Sequence, residues 1–156
     1  MKKKNFKDSA FNYRSLSRLS AVQLLYKKNF DDISLTEILD EFMQFNFDIP
    51  IEYEISDIDL VFFEKLVCSF YERSEHIDKI ISECLQNNSI IRLELVLASI
   101  IRLAACELLF FSEIPAKVII NEYVNLSHAF FDDQQPNLAN GVLDGLAKKI
   151  REDEFS

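Results

Sequence analysis

Apolar residues return along the chain mostly every third and fourth position, the period of an α-helix that buries one face. Leu16, Leu19, Val22, Leu25 and Tyr26 predict an amphipathic first helix over about residues 12–28. Ser34-Leu-Thr-Glu37 is a capping box, and behind it Leu35, Ile38, Leu39, Phe42 and Met43 form the stripe of a second helix. Pro50 interrupts the pattern. Ser56 or Asp57 then opens a third helix carrying Leu60, Phe63, Leu66, Val67, Phe70 and Tyr71. A fourth starts near Ser74, with Ile77, Ile80, Ile81, Cys84 and Leu85 on its stripe, and Asn87-Asn88-Ser89 ends it. Residues 92–111 are apolar nearly all round, as in a central helix covered on several sides. Pro115 and Pro136 suit the first turn of a helix, where the missing N–H costs nothing, and launch helices over about 115–131 and 136–151. No stretch alternates as a strand does. The pattern predicts an all-α fold of about seven helices.

Composition sharpens this picture at one residue type. The 156-residue chain, 49% hydrophobic and 28% charged, has the balance of a globular domain, but it holds only two glycines, against a usual share of about 7%. That excludes glycine-rich phosphate loops and disfavours folds built from β-hairpins. Gly141 and Gly145 both fall inside the last predicted helix, where each costs about 1 kcal/mol relative to Ala. Their i, i+4 spacing predicts one face packed closely against a neighbour.

The net charge of −9 argues against a nucleic-acid partner until its distribution is considered. Residues 1–28 carry eight basic residues (Lys2, Lys3, Lys4, Lys7, Arg14, Arg18, Lys27, Lys28) and one acid, Asp8, for a charge of +7. The remainder carries nine basic and twenty-five acidic residues, for −16. A basic end on an acidic body is the asymmetry of a nucleic-acid-binding segment joined to a second, differently charged surface. A lysine tail that only keeps the protein in solution accounts equally well for the charge alone. Tyr13 and Tyr26 among the basic residues favour RNA, since bases stack on such rings. Tyr26 also fits a core position on the first stripe.

Catalytic patterns are nearly missing. His76 and His128 are far apart and in no metal or triad motif, so both read as surface or packed side chains. Cys68, Cys84 and Cys106 have neither zinc nor disulfide spacing, and read as reduced, mostly buried thiols. The acid pairs Asp31-Asp32 and Asp132-Asp133 read as solvated loop residues, the second able to meet a basic partner. No metal, cofactor or enzymatic activity is expected. Lys2–Lys4 lead into polar sequence rather than an apolar signal core, and Glu94, Arg102 and Glu107 interrupt the apolar stretch 93–111, which predicts a buried helix and no membrane span. A cytoplasmic protein is expected.

Three segments together resemble the NusB family: YRSLSRLSAVQLLY (13–26), RLELVLASIIRLAACELLF (92–110) and IPAKVIINEYVNLSHAFFDDQQPNLANGVLDGLAKKIR (114–151). The order of the I-P-x-K-V-x-I-N-E and N-G-V-L-D elements is specific, whereas residues 29–90 match in helical pattern alone. The resemblance implies two small packed helical bundles, within a single domain over 12–151, a flexible basic tail over 1–11 and a disordered tail over 152–156. It implies a non-enzymatic transcription antitermination factor. Its partners would be single-stranded boxA-type RNA, the ribosomal protein NusE, and through them the RNA polymerase antitermination complex.

Carried across, the resemblance assigns RNA binding to Arg14, Arg18, Gln23, Tyr26 and Phe130, and the charge distribution adds the tail lysines Lys2, Lys3, Lys4 and Lys7. The i, i+4 spacing of Arg14 and Arg18 predicts one solvated edge following a phosphate track. Phe130 fits an RNA-stacking ring or a core position on the Ile119, Tyr123, Leu126 stripe equally well. Asp132, Asp133, Gln134 and Leu138 match the region expected to face NusE. Lys117, Asn121, Glu122, Asn140 and Asp144 match the family signature, and physically the Asn and Asp residues read as inter-helix hydrogen-bonding and cap groups. The chain departs from the family pattern at Ser15-Leu16-Ser17, Leu97, Phe131, Gln134 and Leu138, positions that bear on partner affinity more than on the fold. A helical protein-interaction module that has lost RNA binding is the alternative function.

Overall fold

A computed structural model describes residues 13–45, 58–85, 93–132 and 134–155. Among them are seven α-helices: α1 (Tyr13–Lys28), α2 (Leu35–Phe45), α3 (Leu60–Glu72), α4 (Ser74–Leu85), α5 (Leu95–Phe110), α6 (Ala116–Ser127) and α7 (Gln134–Ile150). A 3-10 turn over Glu152–Phe155 follows, and no described residue is in a strand. The chain divides into two compact units, Met1–Lys65 and Leu66–Ser156, with the boundary inside α3.

In the first unit the capping box forms as the sequence predicts, with Glu37 N–H donating to Ser34 Oγ at 3.2 Å. Ile38 and Phe42 of α2 are fully buried, and the Phe42 ring stacks on Phe63 with centroids 4.5 Å apart. Met43 and Leu39 flank this stripe with more exposure. The cap of α3 differs from the expectation. Asp59, not Ser56 or Asp57, supplies it: Asp59 Oδ1 accepts from Phe62 N–H at 3.0 Å, and its carbonyl accepts from Phe63 N–H. Ser56 and Asp57 lie outside the described residues, as do Pro50 and the Asn87-Asn88-Ser89 stop.

In the second unit α5, α6 and α7 pack on one another, with α4 against α5 and α7. Helix α5 is central, as its all-round apolarity requires: Leu97–Ile101 and Leu103–Leu108 are buried. Its polar residues each find a partner. Arg102 makes a two-pronged bond to Asp78 of α4, at 2.8 and 3.1 Å. Glu107 and Tyr123 are both fully buried, and the Tyr123 hydroxyl donates to Glu107 Oε2. Buried polar groups that meet in this way avoid the cost of lost water. No described helix is long and apolar enough to cross a membrane.

Several expectations change here. Helix α6 ends at Ser127, four residues before the predicted end; the chain then turns through Ala129 and Phe130, whose N–H groups bond to Leu126 O and Ser127 O. Residues 152–155 are not a disordered tail. Arg151 donates to the carbonyls of Leu108, Ile114, Glu107 and Phe111, and Glu154 accepts from both Arg151 and Ala116 N–H. The glycine prediction holds at one position. A Cβ on Gly145 would lie 3.2 Å from Cys84 Sγ of α4, whereas one on Gly141 would meet nothing within 4 Å. Among the cysteines only Cys106 is buried, and burial pushes its thiol up to about 12, with Glu107 adding to the rise; Cys68 and Cys84 are partly exposed. Asn121 and Asn140 are exposed instead of joining helices, and Asp144 pairs with Lys148 one turn along its own helix at 2.9 Å. Within this unit Tyr123 with Glu107, Arg102 with Asp78 and Lys149 with Glu83 make polar bonds between helices.

Candidate nucleic-acid interface

The first unit holds most of the described residues expected to meet RNA, on α1. Its buried side includes Ser15, Ser17 and Ser20, small enough for close approach. Ser17 Oγ reaches the Tyr13 carbonyl at 2.8 Å and the Asp59 carbonyl at 3.0 Å, while Asp59 N–H donates to Tyr13 O at 3.4 Å. The first turn of α1 is thereby tied to the cap of α3.

This junction separates the two arginines that the sequence placed on one edge. The side chain of Arg14 is 48% exposed, with Nε 3.8 Å from Asp59 Oδ2 and Cζ 4.9 Å from the centre of the Phe62 ring. Arg18 is buried, at 3% exposure, with Cζ 5.0 Å from the same ring. The expectation of a shared solvated edge is therefore corrected. Both guanidinium groups lie against the Phe62 ring, Arg18 on the buried side and Arg14, a turn earlier, at the rim beside Asp59. Neither Asp59 nor Phe62 stood out as a site residue in the sequence. The signal present was an Asp immediately before an apolar helix with an aromatic three residues on.

Along the same helix, Gln23 is partly buried and Tyr26 is 39% exposed, so Tyr26 is available at the surface rather than absorbed by the core. Its ring meets Phe30 edge to face, with centroids 5.0 Å apart, and Phe30 is more exposed still. Lys27 is paired with Glu41 of α2. Lys27 and Lys28 sit in the last turn of α1, where cations complement the helix dipole. Lys2, Lys3, Lys4 and Lys7 lie outside the described residues.

The second unit carries the remaining candidates. Phe130 is 39% exposed in the turn after α6, 6.4 Å from the Phe131 ring, which removes it from the core stripe. Asp132 is exposed in the loop, Gln134 is exposed as the first residue of α7, and Leu138 is 45% exposed one turn on. Asp133 lies outside the described residues. His76 and His128 are both exposed on this unit. Among the described residues no three His, Cys, Asp or Glu side chains gather as metal ligands.

Comparison with known proteins is consistent across sequence and structure. A transcription antitermination protein NusB from Rhodopseudomonas palustris is 33% identical over 147 residues, 93% of this chain and 84% of its own length. The protein of that name from Novosphingobium aromaticivorans is 34% identical over 140 residues, 88% of this chain and 95% of its own. The fold is similar to Thermotoga maritima NusB, with a TM-score of 0.75, 26% identity, and coverage of 93% of this chain and 99% of that one. It is also similar to a chain in a crystal structure of the antitermination factors NusB and NusE in complex with double-stranded RNA, with a TM-score of 0.72, 26% identity, and coverage of 88% and 97%. The NusB family model matches residues 15–148, from the buried serines of α1 nearly to the end of α7, and the chain belongs to the NusB family.

Proposed function

We propose that this chain is a transcription antitermination factor that binds boxA-type RNA in nascent transcripts together with NusE, and so supports transcription of ribosomal RNA. It acts in the cytoplasm, through binding and not catalysis. The observation that carries this reading is the exposed Arg14 guanidinium at the head of a basic first helix, in a chain whose structural relative assembles with NusE and RNA. Arg14, Tyr26 and the upstream lysines Lys2, Lys3, Lys4 and Lys7 form the RNA track, with Gln23 beside it. Phe130 offers a stacking ring on the second unit. Arg18 acts by holding Phe62 in place. Asp132, Asp133, Gln134 and Leu138 form the NusE face, where acidic groups steer a basic ribosomal protein into register.

Fluorescence anisotropy of a boxA RNA, single- and double-stranded, with and without NusE, tests the reading. Arg14→Ala should flatten the plot of log K against log salt for the single strand by about 0.7, the contribution of one phosphate contact. It should leave the melting temperature almost unchanged, because the side chain is half in water. Arg18→Ala should lower the melting temperature. Asp132→Lys should slow NusE association. A second reading, a protein-interaction module without RNA binding, draws support from the burial of Arg18 and the −9 net charge. Identical salt slopes for wild type and Arg14→Ala would favour it.

A further inference from the structure

Asp59 uses its two carboxylate oxygens for different purposes. Oδ1 accepts from Phe62 N–H at 3.0 Å and caps α3, while Oδ2 faces Arg14 Nε at 3.8 Å. The residue cannot swing away easily. Its N–H donates to Tyr13 O, and its carbonyl accepts from both Ser17 and Phe63. The Arg14 guanidinium is thus located by the Phe62 ring and by a fixed carboxylate, yet it remains about half exposed. Asp59 Oδ2 offers the guanidinium an anionic oxygen, as a phosphate would. At 3.8 Å and with both partners partly in water, the pair is weak enough to exchange.

We infer that Asp59 is an autoinhibitory group of the RNA site, an internal stand-in for phosphate that occupies Arg14 until an RNA backbone displaces it. The inference rests on the reading of α1 as the RNA-binding segment. An arriving phosphate meets a guanidinium already matched to an anion, and it also meets the repulsion of that anion. Any polyanion bears this penalty equally. The carboxylate therefore weakens cognate and unrelated RNA by the same factor, and an RNA with further contacts, to Tyr26 or through NusE, is the one that stays bound against it.

Asp59→Asn separates the two purposes, since Asn caps a helix as well as Asp does but carries no charge. Anisotropy titrations with a boxA RNA and a scrambled RNA of equal length would be run on wild type, Asp59→Asn, Arg14→Ala and the double variant. Asp59→Ser, which keeps a capping oxygen, would be measured beside them, with circular dichroism melts for all. Asp59→Asn should bind the scrambled RNA roughly three- to tenfold tighter at about 50 mM salt, and the gain should fade as salt screens it. The boxA RNA should gain by about the same factor, leaving discrimination between the two RNAs unchanged, Asp59→Ser should behave alike, and the Arg14→Ala background should abolish the gain. Unchanged binding by Asp59→Asn alongside weakened binding by Arg14→Ala overturns this inference and leaves the RNA reading intact. A gain that persists without Arg14 reduces the effect to bulk charge and also overturns it. If Arg14→Ala binds as wild type does, the RNA reading of α1 has failed and the inference falls with it.

Discussion

Replacing Arg151 by alanine removes a single side chain that closes the end of α5. Its guanidinium donates to Leu108 O at 2.6 Å, Ile114 O at 3.0 Å, Phe111 O at 2.9 Å and Glu107 O at 3.3 Å, and to Glu154 at 2.8 Å. The carbonyls of Glu107 and Phe111 each keep a backbone N–H, from Phe111 and Ile114 respectively. For Leu108 and Ile114, Arg151 is the partner found among the described residues. Each of those two losses should cost about 1 to 1.5 kcal/mol, because an acceptor is left with neither protein nor full solvent. The two shared carbonyls and the dipole of α5, which a cation at its C-terminus offsets, add about another 1 kcal/mol together. The expected loss is therefore about 3 to 4 kcal/mol, or a fall in melting temperature of roughly 6–16 °C for a chain of this size. Urea and thermal denaturation followed by circular dichroism at the helix band would measure it. Arg151→Lys should recover less than half, since one ammonium cannot reach four carbonyls spread over a helix end and the following turn. A loss below about 1 kcal/mol for Arg151→Ala, or full rescue by lysine, would refute the account of Arg151 as the closing side chain.

Two further outcomes follow from the second unit. Glu154 is held below its ordinary 4.5, first by the Ala116 N–H and then by Arg151, so its stabilising contribution is present above that value and is lost as pH falls through the folded value; the stability deficit of Glu154→Gln should accordingly shrink to nothing in strong acid, and a deficit independent of pH would contradict the pairing. Gly141→Ala should raise stability by about 0.5–1 kcal/mol in denaturant melts, because its new methyl meets nothing, while Gly145→Ala should gain less, with Cys84→Ala restoring the difference.

Local chemistry was readable in the sequence wherever a residue's role depends on its own helix. The stripe of α1, the Ser34–Glu37 box and the all-round apolarity of α5 each depend on spacing along the chain, and each appears as expected. What spacing does not reveal is which neighbour a face meets. Arg14 and Arg18 lie one turn apart and both meet Phe62 of α3, yet Arg18 is buried and Arg14 is not, a difference their spacing does not carry. The same holds for Gly141 and Gly145, distinguished by Cys84 of α4 and by nothing in α7 itself. Glu154 fell in the expected tail and Arg151 at the last position of the expected helix, because the carbonyls Arg151 binds and the Ala116 N–H that Glu154 accepts from are thirty-seven or more residues away. The candidate site was therefore legible as a segment but not as a set of side chains: its basic helix was evident, its cap residue Asp59 and ring Phe62 were not.

The Tyr123–Glu107 bond has a consequence for how many ways the second unit can be assembled. Helices rich in leucine, isoleucine and alanine slide and rotate against each other with little change in buried area, so apolar packing alone tolerates several arrangements of nearly equal energy. A carboxyl group fixed on α5, with one hydroxyl on α6 able to reach it, removes that freedom. Turning α6 by one residue, about 100°, would carry the tyrosine oxygen out of reach and cost the buried acid this bond. The pair adds little to the depth of the native minimum and much to its separation from the alternatives. The exposed Phe130 and Asp132, seven and nine residues beyond Tyr123, take their positions from that single rotation.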